Sequence, residues 1–137
     1  MSEYAADYLL GTTGEELGRL RFQHEAWHSE AERLWQLGGF RAGQSLLDLG
    51  CGPGFATLDL SKIAGARGHV HAVDAAANYL EFLDRTLAER GMENVTVQQG
   101  DVSRLDLEDS SIDGVFARWL FCLNSRVVEH SLQWLLS

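Results

Sequence analysis

In Leu46-Leu47-Asp48-Leu49-Gly50-Cys51-Gly52-Pro53-Gly54 an acid is followed by glycine at every second position. Without a Cβ such a loop can take positive φ and let a ligand lie against its backbone. The preceding apolar run reads as a buried strand and residues 55–63 as a helix, so the loop joins a strand end to a helix N-terminus. Open α/β sheets bind nucleotide-like cofactors at such junctions. The spacing is G-x-G-x-G and not the dinucleotide G-x-G-x-x-G. Asp48 lies in the strand end, where its carboxylate would repel a pyrophosphate and suit a positively charged ligand such as an amino group or a sulfonium. Alone, the loop could equally be a tight β–α turn.

Two further strand ends carry acids. Residues 68–74 form a short apolar-alternating run ending in Asp74, twenty residues after Gly54. In nucleotide-binding βαβ units an acid at about that distance takes the ribose hydroxyls, and one carboxylate can accept both hydrogen bonds of a cis-diol. The competing role for Asp74 is a helix N-cap. Gly91 reads as the residue that ends the next helix. Val95-Thr96-Val97-Gln98-Gln99-Gly100 is strand-like and runs into Asp101-Val102, and residues 114–120 form a fourth strand after an acidic loop.

The hydrophobic run, Asp48, Gly50, Gly52 and Gly54 together resemble motif I of the class I S-adenosylmethionine (SAM)-dependent methyltransferases. Asp74-Ala75-Ala76-Ala77-Asn78-Tyr79-Leu80 is similar to that family's stretch after its second strand, and the likeness extends over residues 43–123. It implies an α/β fold: a Rossmann-like, doubly wound, mostly parallel sheet, here incomplete, with an N-terminal helical cap. The expected division is a cap over residues 1–40 and a SAM-binding domain over residues 41–137. The implied cofactor is SAM, contacted by Asp48, Gly50, Cys51, Gly52, Gly54, Asp74 and Ala75. The resemblance puts Asp101 near the adenine amino group and the Val102 backbone against the ring. Arg118 is expected to contact cofactor or substrate, or else to pair with an acid at the sheet edge.

Composition narrows the partners. A chain of 137 residues implies one domain. Its formal charge of −9 disfavours a nucleic-acid backbone, which is bound through clustered Lys and Arg. No window is long and apolar enough to span a membrane, and the N-terminus lacks a basic region followed by an apolar core. Cys51 and Cys122 make no disulfide framework. A soluble cytoplasmic protein acting on a small-molecule methyl acceptor is the resulting expectation.

The first forty residues read as helix over 14–37, with Leu17, Leu20, Trp27, Ala31 and Leu34 on the buried face and Gly38-Gly39 as the stop. Tyr4, Tyr8 and Gln23 are plausible contributors to the cofactor pocket, or else packing and surface residues. His24-Glu25-Ala26-Trp27-His28 matches H-E-x-x-H, the zinc-peptidase helix motif. No third histidine follows at the required spacing, so no metal ligand is assigned, both histidines are expected on the exposed helix surface, and zinc peptidase chemistry is a remote alternative.

Absences refine the chemistry. With Pro53 as the single proline, the N-P-P-Y/F motif of amino-methylating DNA enzymes is ruled out. The fourth strand ends in Arg118-Trp119-Leu120-Phe121 without an acid for a divalent metal, which disfavours catechol-type O-methylation. No residue can be named as a catalytic base; His71 reads as buried structure. The family's strand order is 3-2-1-4-5-7-6, and only four strands and a helix over 127–136 are legible here. A fragment, or a unit that self-associates through an exposed fourth strand, is therefore expected, with a non-catalytic SAM-binding module as the alternative function.

Overall fold

The computed structural model describes residues 14–101 and 112–117. These form helix α1 (Gly14–Leu37), strand β1 (Ser45–Leu49), helix α2 (Phe55–Ala64), strand β2 (His69–Asp74), helix α3 (Ala77–Glu89), strand β3 (Val95–Gln99) and strand β4 (Gly114–Phe116). The strands make one sheet of order β3-β2-β1-β4, with every pairing parallel. That is the order, and the Rossmann-like architecture, that the sequence motifs imply.

β1 is buried from Leu46 to Leu49 because a parallel central strand is covered on both faces. Leu46 packs with Leu60, Ala64, Val70, Phe116, Ala31 and Trp35 on the helix-covered face. Leu47 and Leu49 point the other way, into a cluster with Val73, Ile112 and Ala117. Since side chains alternate along a strand, Asp48 shares the face of Leu46 and lies beneath α2. α3 adds Leu80, Leu83 and Leu87 at helical spacing against Ala72 and Cys51.

The helix ends follow local chemistry. Gly39 takes φ 75° after α1, with its amide donating to Gln36 and the Phe40 amide to Trp35, the double closure of a Schellman motif. Gly91 takes φ 62° one residue past the C-cap Arg90, as its position in the sequence predicts.

Two expectations change. The buried stripe of α1 is Leu17, Ala31 and Trp35, with Trp27 46% and Leu34 59% exposed. The inward face is rotated from the one apolar content suggests. Trp35 sets the rotation: it is buried at 2% exposure and meets Phe116 edge-on at 5.4 Å. That rotation brings His24 and His28 inward, which corrects their assignment to the exposed surface. Of the expected fourth strand, residues 114–116 are strand and Ala117 follows it. Tyr4, Tyr8, Val102, Arg118, Trp119, Cys122 and the expected helix over 127–136 lie outside the described residues.

Candidate functional site

The cleft sits at the C-terminal ends of β1, β2 and β4, under α1, and encloses about 320 Å³. Among the described residues its wall comprises Glu16, Arg19, Leu20, Gln23 and His24 of α1, Asp48 and Leu49, the loop from Gly50 to Pro53, and Phe55, Ala56, Asp74, Tyr79 and Phe116.

The glycine loop forms its floor. Gly50, Gly52 and Gly54 take φ of 70°, 57° and 92°, which residues with a Cβ rarely adopt. The amides of Gly50 and Cys51 both donate to the Val73 carbonyl, at 2.8 and 3.0 Å, and this fastens the loop to β2. Among the described residues, a Cβ on Gly52 would meet no atom beyond its chain neighbours within 4 Å, so the space above the loop is open there. At Gly54 the reason is packing: a Cβ would stand 2.3 Å from Leu83 Cδ1.

Both carboxylates are held by the fold. Asp48, 3% exposed, accepts a hydrogen bond from the Thr57 hydroxyl at 2.7 Å. Asp74 accepts from the Gly52 amide at 2.9 Å through Oδ2 and from the Ala76 amide at 2.8 Å through Oδ1. Each Asp74 oxygen keeps acceptor capacity, since an ionised carboxylate offers about four lone-pair sites.

Among the described residues the wall has three acids, Glu16, Asp48 and Asp74, and one guanidinium, Arg19. Tyr79 donates to Glu16 Oε1 at 2.5 Å; burial, then this bond, push its phenol up to about 12. Burial pushes the Cys51 thiol far up as well, with Asp48 and Asp74 adding to the effect. Both groups therefore stay protonated near neutrality. His71 is half-buried beside His69 and held below the usual imidazole range, first by burial and then by that neighbour; it does not line the cleft.

Of the residues singled out in the sequence, Asp48, Gly50, Cys51, Gly52, Asp74 and Gln23 meet in this cleft, and Gly54 supports the loop from below. Ala75 and Asp101 are exposed and stand outside the described wall. Sequence reasoning passed over Glu16 and Arg19, and it named His24 and Tyr79 without assigning them to the cleft. For the residues of α1 the signal was one of spacing: Glu16, Arg19 and Gln23 follow at intervals of three and four, and His24 lies four after Leu20, which marks a single face of α1.

Residues 46–135 match the model of the methyltransferase domain. The chain is 39% identical over 93 residues to demethylmenaquinone methyltransferase from Staphylococcus aureus (strain MRSA252). That alignment covers 68% of this chain but 36% of the relative, so the chain spans about a third of its length. A SAM-dependent methyltransferase from Aquifex aeolicus superposes with a TM-score of 0.67 at 27% identity, covering 76% of this chain and 56% of that one. An arsenic(III) S-adenosylmethionine methyltransferase from Chlamydomonas reinhardtii does so with a TM-score of 0.63 at 30% identity, covering 70% and 36%.

Proposed function

Because the chain belongs to the methyltransferase-domain family of class I SAM-dependent enzymes, we propose that it serves methyl transfer from SAM to a small-molecule acceptor. The single observation that carries this reading is the pair of carboxylates at adjacent strand ends, one beneath the glycine loop and one tied to it.

The residues present fit SAM. It carries a sulfonium and an amino group, which suit a wall with three acids, and one carboxylate, which suits Arg19. The open space over Gly52 accommodates a ligand against bare backbone. When bound, SAM supplies a methyl group already activated for in-line displacement. Asp74 is assigned to the ribose hydroxyls, and Asp48 holds the floor of the cleft negative. Leu20, Phe55 and Phe116 supply apolar wall that excludes water from the reacting atoms. Asp101, Val102, Ala75 and Arg118 keep the cofactor-contact roles implied by the family motif.

The relative that acts on demethylmenaquinone makes a quinone-type ring the first acceptor to test. Residues 1–40 are assigned to the cap and 41–137 to the cofactor domain, in a cytoplasmic protein. No described helix is long and apolar enough to cross a membrane. Among the described residues β4 pairs with β1 alone, and self-association along β4 belongs to the same proposal; light scattering on the purified chain tests it.

Calorimetry with SAM, S-adenosylhomocysteine (SAH) and NAD tests the cofactor assignment, with binding expected for the two adenosyl compounds only. NAD binding without a response to either would overturn it. A methyl-transfer assay then separates the enzyme from a non-catalytic SAM-binding module.

A further inference from the structure

The inward stripe of α1 carries two histidines at its centre. His24 Nε2 lies 2.8 Å from Asp59 Oδ2 on α2, and His28 Nε2 lies 3.4 Å from the same oxygen. The three ligand atoms all fall within 4.8 Å of one another. Glu32, one turn beyond His28, brings Oε1 to 3.6 Å from the His28 Nε2. We infer that His24, His28 and Asp59 bind a divalent transition ion of the zinc class, which pins α1 to α2 beside the cofactor cleft.

Donor chemistry selects the ion. Two imidazoles and a carboxylate suit zinc, cobalt or nickel, whereas calcium and magnesium prefer all-oxygen sites. Spacing four residues apart on a helix puts both rings on one face. A tetrahedral ion at its usual bond lengths separates its ligands by roughly 3.3 Å. The His28–Asp59 contact already has that length, and the His24–Asp59 contact has to open by about half an ångström to reach it.

The rings are also held in place. His24 stacks on Phe55 at 6.2 Å and 29°, and His28 meets Trp35 edge-on at 6.4 Å and 81°. The side chains of His24, His28 and Asp59 are 13%, 37% and 25% exposed, so an ion can enter while the rings have little room to turn away. A water molecule would complete a tetrahedral set.

This site is not the peptidase that H-E-x-x-H suggests. Glu25, the base of that mechanism, is exposed and lines a separate cleft with Arg21 and Arg85. The role is structural: His24 also lines the cofactor cleft, so an ion there fixes one wall of it. The third ligand comes 31 residues after His28, from the next helix, and only the fold brings it near. None of this depends on the methyl-transfer reading.

The test uses the full chain, stripped with chelator and titrated with Co(II) while the visible d–d bands are followed. One equivalent is expected, with the band intensity of a tetrahedral site, and zinc should displace it. His28→Gln and Asp59→Asn should each weaken Co(II) binding at least tenfold. Zinc should raise the melting temperature of the parent chain and leave that of His28→Gln unchanged; the melting transition itself shows that each variant folds. Failure to bind one equivalent, a thiolate charge-transfer band, or binding that survives both substitutions would overturn the site.

Discussion

The Asp74 carboxylate, at the end of β2, accepts the Gly52 amide hydrogen at 2.9 Å and so fixes the crest of the glycine loop to the neighbouring strand. Its other oxygen accepts from the Ala76 amide and sets the start of α3. One side chain thus positions the loop, the helix entrance and, in the proposed complex, the ribose. The competing role of helix N-cap does not fall to Asp74: the N-cap is Ala76, without a side-chain cap bond, and Asp74 holds only the Ala76 amide ahead of the helix.

Replacing Asp74 with Ala should therefore weaken SAH binding. Loss of hydrogen bonds to a charged acceptor costs about 1.5–3 kcal/mol, or roughly ten- to a hundredfold in Kd. Asp74→Asn retains one acceptor oxygen and should fall between the two. Calorimetry on the folded variants reads the effect, and an unchanged Kd in Asp74→Ala would place the ribose elsewhere.

Gly54→Ala tests a different role for glycine. The added methyl would enter at φ 92° and 2.3 Å from Leu83 Cδ1, with Leu83 fully buried. Strain and overpacking together should cost about 2–4 kcal/mol in urea unfolding. Adding Leu83→Ala should recover part of the clash, so the two changes couple by at least about 0.5 kcal/mol. Strict additivity would show that Leu83 is not what Gly54 accommodates.

Much of this was legible in the sequence because it is written locally. An apolar run, an acid and a glycine loop specify strand, turn and helix within a few residues, which is why Asp48, Asp74 and the parallel order of β1 to β4 could be read without coordinates. The face of α1 was not legible. Apolar content points to Trp27 and Leu34, but the packing of Trp35 on Phe116 turns the helix and seats His24 and His28 inward. A helix can satisfy two histidines inside only if another element supplies a partner, here Asp59, and that pairing spans 35 residues.

The Tyr79–Glu16 bond should matter to both stability and ligand binding. It joins α3 to α1 at 2.5 Å across the cleft wall. Tyr79→Phe keeps the ring and removes one donor from a half-buried carboxylate, at a cost of about 1–2 kcal/mol. SAH affinity should fall along with stability, since both residues line the cleft. A variant with unaltered unfolding midpoint and unaltered SAH titration would show that α1 is held without this bond.

Thr57→Val isolates the support of Asp48. Threonine and valine have nearly the same shape, so the change removes the hydroxyl while the surrounding packing stays filled. In the parent chain that hydroxyl donates to Asp48 at 2.7 Å with both residues buried. Losing a donor to a buried carboxylate should cost about 1.5–3 kcal/mol. Thr57→Ser keeps the hydroxyl and loses only a methyl, so it should restore most of the SAH affinity even where some stability is lost. If Asp48 acts on the cofactor through its charge, Thr57→Val lowers SAH affinity and serine rescues it. Equal SAH affinity in the parent, valine and serine chains would reduce the Asp48–Thr57 pair to a packing element of β1 and α2, and Asp48 would lose its place in the site.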